Sequence, residues 1–224
     1  MKIHTVENLL DCIDDEMAWR RKELTSIKSS ISTARSFAKN TAIRAGVALL
    51  YSHWEGAVKN IATYYLEFVS RKKLLYSELR PCFLALTIKK EVSLIEQSNK
   101  NTIHSHIVSE VLSKQADRSC IPFEGVIKTN SNLNSTVLAE IMSSIGLSTK
   151  AYESSYNFID EVLLAKRNCI AHGERLEILD LDEERYYEMQ DKILTLLDMF
   201  RTDIINAATL EQYKVSKNHG EFMP

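Results

Sequence analysis

Helix breakers are scarce in this chain. Only 6 Gly and 3 Pro interrupt 224 residues, and Leu, Ile, Ala, Glu and Lys are plentiful. A chain with so little punctuation has few places to turn sharply, and its intrinsic propensities favour helix over strand. Apolar residues make up 45% and charged residues 26%. That balance suits a globular chain long enough to bury a real core. The expected architecture is all-α: a helical bundle of long antiparallel helices, with a single domain over residues 1–208. Residues 209–224 are expected to form a polar, flexible tail.

Periodicity sets the elements. Leu9, Ile13 and Met17 recur at spacings of four, which predicts a long amphipathic helix over 5–38. The stretch 40–71 is apolar around most of its circumference and is expected to be the central helix. Pro81 breaks the pattern. Two shorter helices are expected over 82–97 and 102–116. Residues 117–136 contain Pro122, Gly125 and several Asn and Ser, so an irregular insert is expected there, with at most a short extended piece. A helix over 135–145 stops at Gly146, and another is expected to run from about 148 to 171. Ile193, Leu197, Phe200 and Ile204 place a last amphipathic helix over 182–208. No nucleotide-binding glycine motif or internal repeat is present.

The charge and cysteine content limit the functions. A formal net charge of −2 gives no global attraction for nucleic acid, so RNA binding would need a local basic cleft. No two of Cys12, Cys82, Cys120 and Cys169 have C-x-x-C spacing, and reduced thiols are expected. The N-terminus turns acidic at once and lacks an apolar signal core. No run of about 18 apolar residues suggests a membrane span, so a cytoplasmic protein is expected.

The stretch with the most chemistry is "LLAKRNCIAHGE", residues 163–174. On an ideal helix Phe158, Val162, Ala165 and Cys169 form an apolar stripe, widened by Ile159, Leu163 and Ile170. Arg167 and His172 are five apart and fall about 140° apart around the axis. Asn168 and His172 are four apart and share a face. One straight helix therefore does not focus Arg167 and His172 on one ligand. Two such helices meeting across an interface would. The plain alternative is a basic helix end favoured by the macrodipole, with Gly173 as a left-handed cap.

The segment "RNCIAHG" resembles the R-x4-6-H motif of the HEPN superfamily, small all-helical domains typically active as ribonucleases. "LLYSHWEG" (49–56) and "NSNLNSTVLAEIMSSIGL" (130–147) resemble further segments of the stand-alone prokaryotic RiboL-PSP-type branch, so the likeness spans most of residues 40–205. The resemblance implies metal-independent endoribonuclease activity without a cofactor. In that activity the 2′-OH attacks its own 3′ phosphate and leaves a 2′,3′-cyclic phosphate and a 5′-OH end. It assigns catalysis to Arg167, Asn168 and His172. It also implies an RNA substrate, a homodimer with the motif helices at its interface, and a toxin or phage-defence role with an antitoxin or other regulator. Some relatives are instead interaction modules that bind a partner, and that reading stays open. The residue types suit the chemistry: imidazole moves protons near neutrality, and guanidinium meets phosphate oxygens as a planar fork.

Other residues carry weaker signals. Arg44, Tyr51 and Glu55 share a helix face, either as an Arg–Glu lock or as supports beside His172. Trp54 is expected in the core. Asn132 and Asn134 are turn formers that the resemblance places near an RNA cleft. His104 and His106 are two apart, a spacing that does not suit a shared metal on a helix. "RRK" (20–22) and "RKK" (71–73) are expected as solvated helix ends and as local candidates for phosphate contact.

Overall fold

The computed structural model describes residues 2–97, 99–174 and 181–215, with the side chains of Lys90 and Glu96 outside the description. The fold is all-α. Its frame is three long helices: α1 (Val6–Thr33), α2 (Ser36–Arg71) and α8 (Glu183–Thr209), packed pairwise. Thr5 caps α1 by accepting from the Asn8 N–H at 3.2 Å. Asp182 caps α8 by accepting from Arg185 N–H at 2.9 Å, with Glu183 and Glu184 in the positive first turn. At 36 residues α2 runs for about 54 Å. It is buried on several faces, through Val47, Leu50, Trp54, Val58, Ile61, Tyr65 and Phe68. This is the central helix that its all-round apolar character predicts.

The expected 82–97 helix divides into α3 (Pro81–Thr87) and α4 (Lys89–Gln97), and α5 (Asn101–Lys114) packs on α4. His104 and His106 sit on α5. The insert after α5 is irregular, with one isolated bridge between Leu75 and Arg118. It is nonetheless anchored: Ile121, Ile127 and Leu133 are buried, and Ser70 Oγ donates to the Ile121 carbonyl at 2.8 Å. Helix α6 (Ser135–Ser144) follows.

Two expectations need correction. The continuous helix over 148–171 is three pieces: a 3₁₀ helix (Lys150–Ser155), a π-helical segment (Phe158–Leu164) and α7 (Ala165–Ala171). The wider π turn advances each residue by less than 100°, which rotates the core-facing stripe. Ile159, Leu163 and Leu164 are buried, whereas Phe158 and Val162 are partly uncovered. The second correction concerns the tail. Residues 210–215 are fastened: Arg80 N–H donates to the Tyr213 carbonyl at 2.9 Å and Val215 N–H to the Glu78 carbonyl at 3.0 Å. Tyr213 is buried edge-on against Phe68. One aromatic ring outweighs the polar composition around it. The rest of the expected tail, 216–224, and most of the linker before α8, 175–180, lie outside the described residues.

Candidate functional site

Helix α7 ends as its sequence requires. Gly173 has φ +81°, a region costly for any residue with a Cβ. Glu174 N–H donates to the Cys169 carbonyl at 3.0 Å and Gly173 N–H to the Ile170 carbonyl at 3.1 Å. This pair of bonds is a Schellman cap. His172 occupies the C-cap position, with φ −84° and ψ 2°. It is exposed, and its imidazole has no hydrogen-bond partner among the described residues. The Asn168 side chain, half-buried one turn earlier, likewise has none, while its carbonyl accepts from His172 N–H at 2.9 Å.

Arg167 points elsewhere. Its guanidinium lies over the Tyr51 ring, 4.0 Å from the centroid, and Nη2 donates to the Ser131 carbonyl at 2.7 Å. Nε is buried without a hydrogen-bond partner among the described residues. A buried guanidinium N–H without an acceptor is an unspent donor in a charged group. Tyr51 is itself fixed, since its hydroxyl accepts from Leu133 N–H at 2.6 Å. Burial pushes the Tyr51 phenol up, against the Leu133 N–H and Arg167. It stays protonated at neutral pH, which makes it a support and not a base.

The Ser131 carbonyl is presented by a tight turn. Asn130 and Ser131 both have φ +53°, and Asn132 N–H donates to the Thr129 carbonyl at 3.0 Å. Two consecutive left-handed residues closed by that bond make a type I′ turn. The turn is tied to the motif helix from the other side by Asp160, which accepts from Ser135 N–H at 2.7 Å and from Ser135 Oγ at 2.5 Å.

Of the residues singled out in the sequence, the structure joins some and separates others. Arg44 does not pair with Glu55. It donates to the carbonyls of Glu174 and of Ile170 (3.4 Å), which clamps the helix end that carries His172. Glu55 is half-buried near Tyr51 and has no ion-pair partner among the described residues. Asn134 spends its side chain as the cap of α6, accepting from Val137 N–H at 2.8 Å. Asn132 is exposed. Arg167 and His172 do not converge within one chain: one leans on α2 and the insert, the other faces outward. Ser131, Leu133 and Asp160 carried no signal in the sequence beyond a turn-forming Asn-rich run.

In the basic stretches Arg21, Lys22 and Lys73 are exposed, and one residue needs correction. Arg20 is not a solvated helix end. It is 5% exposed and donates to Glu16 (Nε–Oε1 3.0 Å), to His53 Nδ1 at 3.2 Å and to the His53 carbonyl at 3.1 Å. Asn60 adds a bond to Glu16 at 2.7 Å. A Cβ on Gly56 would stand 2.7 Å from the Arg20 guanidinium, so glycine there leaves room for Arg20 in this position. Glu23 lies 3.1 Å from His53 Nε2 without hydrogen-bond geometry. Burial and then Arg20 push the His53 imidazole down, against Glu23 and Glu16, so it is neutral at neutral pH. Arg71, Lys72 and Lys73 are occupied by Glu67, the His4 carbonyl and the Ser119 carbonyl.

Among the described residues no group of His, Cys, Asp and Glu is arranged to hold a metal ion, and no helix is long and apolar enough to cross a membrane. No curated protein and no solved structure matches the chain significantly. Residues 15–206 match the family model described as RiboL-PSP-HEPN; the chain belongs to that family, within the HEPN superfamily.

Proposed function

We propose that the protein is a metal-independent endoribonuclease that works as a homodimer, with Arg167, Asn168 and His172 as its catalytic residues. One observation supports this most. At the end of α7 an outward imidazole and a half-buried amide have no side-chain partner among the described residues, beside an arginine held by its side chain with one donor unspent. These are the groups that RNA cleavage needs, and the structure leaves them open to a ligand.

The chemistry follows from the groups. A neutral imidazole takes the proton of a ribose 2′-OH, and that oxygen attacks the adjacent phosphorus. The P–O5′ bond breaks, and the departing 5′ oxygen takes a proton from a second acid. The products are a 2′,3′-cyclic phosphate and a 5′-OH. Within one chain Arg167 and His172 diverge, so His172 of a second copy completes the set. Arg167 meets the phosphate oxygens as charge builds on them. Asn168 orients the imidazole or holds a phosphate oxygen. Arg44 and Tyr51 are positioning residues. Arg44 fixes the turn under His172 and Tyr51 carries the Arg167 guanidinium. A growth-arresting toxin or phage-defence role, silenced by an antitoxin, fits such an activity in the cytoplasm.

The test is cleavage of a mixed RNA pool by purified protein with end-group analysis. Wild type is expected to leave cyclic-phosphate and 5′-OH ends with EDTA present, and His172→Ala to leave the pool intact. Equal behaviour of wild type and His172→Ala would overturn the reading. The rival is an interaction module. One observation favours it: Val92, Leu94, Val108 and Leu112 are exposed apolar side chains on the α4–α5 hairpin. That reading predicts binding of a partner protein that survives His172→Ala, with no cleavage.

A further inference from the structure

A cleft of about 320 Å³ opens between α3–α4, the insert and α6. Val137 and Ile141 are among its apolar lining residues, and the exposed Lys89 and Lys128 stand at its edge. Neither ammonium is in an ion pair with a described residue. Glu140 is the acidic group among the described lining residues, and it is exposed. The cleft and the candidate site share the turn at Asn130 and Ser131. Asn130 lines the cleft, and the next residue, Ser131, carries the carbonyl that accepts from Arg167 at 2.7 Å. One residue spans about 3.8 Å between Cα atoms, so the wall of the cleft begins a single step from the arginine's anchor.

Two lysines without an ion-pair partner among the described residues, around an apolar floor, match a nucleotide. Phosphates on either side of a nucleoside meet the ammonium groups, and the base covers the aliphatic side chains. The volume falls at the small end of ligand sites, the size of one nucleotide and not of a duplex. We infer that this cleft is a subsite for one nucleotide of the RNA strand beside the cleaved phosphodiester, with Lys89 and Lys128 on its flanking phosphates. The inference rests on the ribonuclease reading of Arg167 and His172. The subsite makes single-stranded RNA the substrate class. It also gives an otherwise weakly acidic protein its local basic surface.

The experiment measures binding of a labelled single-stranded RNA of about twelve nucleotides and mixed sequence by fluorescence anisotropy, from about 0.05 to about 0.3 M salt. The full chain carries His172→Ala so that the probe survives. Two phosphate contacts contribute about 1.4 to the slope of log K against log salt, and roughly tenfold in affinity near 0.15 M. Lys89→Ala with Lys128→Ala is expected to lose both. Lys89→Arg with Lys128→Arg is expected to retain them. Lys59→Ala, at an exposed lysine of α2, is expected to change neither. Unchanged affinity and slope in the alanine pair, with an unaltered melting temperature, would overturn the subsite, as would an equal loss in Lys59→Ala. Failure of the ribonuclease reading looks different: binding would still depend on the two lysines, but the chain with His172 intact would not cleave the probe.

Discussion

Helix α2 has an arginine–histidine pair on each of two sides, and the two pairs are treated in opposite ways. Toward α1, Arg20 and His53 are buried, and Arg20 is saturated by Glu16, His53 Nδ1 and a backbone carbonyl. Toward α7, Arg167 keeps a donor unspent and His172 stands in solvent without a partner among the described residues. Under the proposed function the same side chains serve two ends. The bonds of Arg20 lock two helices together, and the open groups of Arg167 and His172 meet a ligand. The comparison breaks first at its poles. Arg20→Ala strips a buried carboxylate of its partner and should cost about 3–5 kcal/mol in urea unfolding. His172→Ala should leave the unfolding curve in place yet lower RNA cleavage by about 10²- to 10⁴-fold. If instead His172→Ala unfolds the chain, the C-terminal pair is a second lock and the contrast fails.

Tyr51 sharpens the comparison, because it separates holding a loop from holding a guanidinium. Tyr51→Phe keeps the ring under Arg167 and removes the acceptor of the Leu133 N–H. An orphaned buried N–H costs about 1–3 kcal/mol, so the melting temperature should fall while kcat falls little at permissive temperature. Tyr51→Leu removes the ring as well, and its further loss should be in kcat. Equal kcat in the two variants would mean that the ring does not position Arg167.

Gly173 gives a smaller effect at the same helix end. A Cβ there would meet nothing within 4 Å among the described residues. Gly173→Ala therefore carries only the backbone penalty, about 1–2 kcal/mol, and Gly173→Asn less. Cleavage should fall in Gly173→Ala because the turn under His172 loosens, and Gly173→Asn should restore most of it.

The contrast between the two pairs was only half legible in the sequence. The motif end could be read because its signals are local: Arg167, Asn168, His172 and a glycine cap lie within seven residues. The long helices could be read from spacing alone. Arg20 could not. It sits in a basic run, and its burial depends on His53 and Gly56, more than thirty residues away. Charge runs predict solvent exposure only when no distant cavity is cut for them. The anchor of Arg167 was hidden for a similar reason. A turn of two non-glycine left-handed residues is not announced by "NS", and the acceptor it offers is a backbone carbonyl with no residue type of its own. The π segment was hidden because both registers of the helix place apolar residues on some face.

The smallest effect tests whether the α1 side also depends on the protonation state of His53. His53 is pushed below its ordinary value by burial and by Arg20, while Glu23 and Glu16 pull the other way without prevailing. The unfolded chain therefore binds a proton more readily than the folded one. Stability is full above the unfolded value of about 6.5 and declines as pH falls through it toward the lower folded value. Urea unfolding at about pH 8 and about pH 5.5 should show that decline. His53→Asn keeps an acceptor for Arg20 and cannot titrate, so its curves at the two values should lie closer together than those of wild type. Should His53→Asn show the same gap, the acid sensitivity belongs to the carboxylates, and the α1 pair is locked by geometry alone.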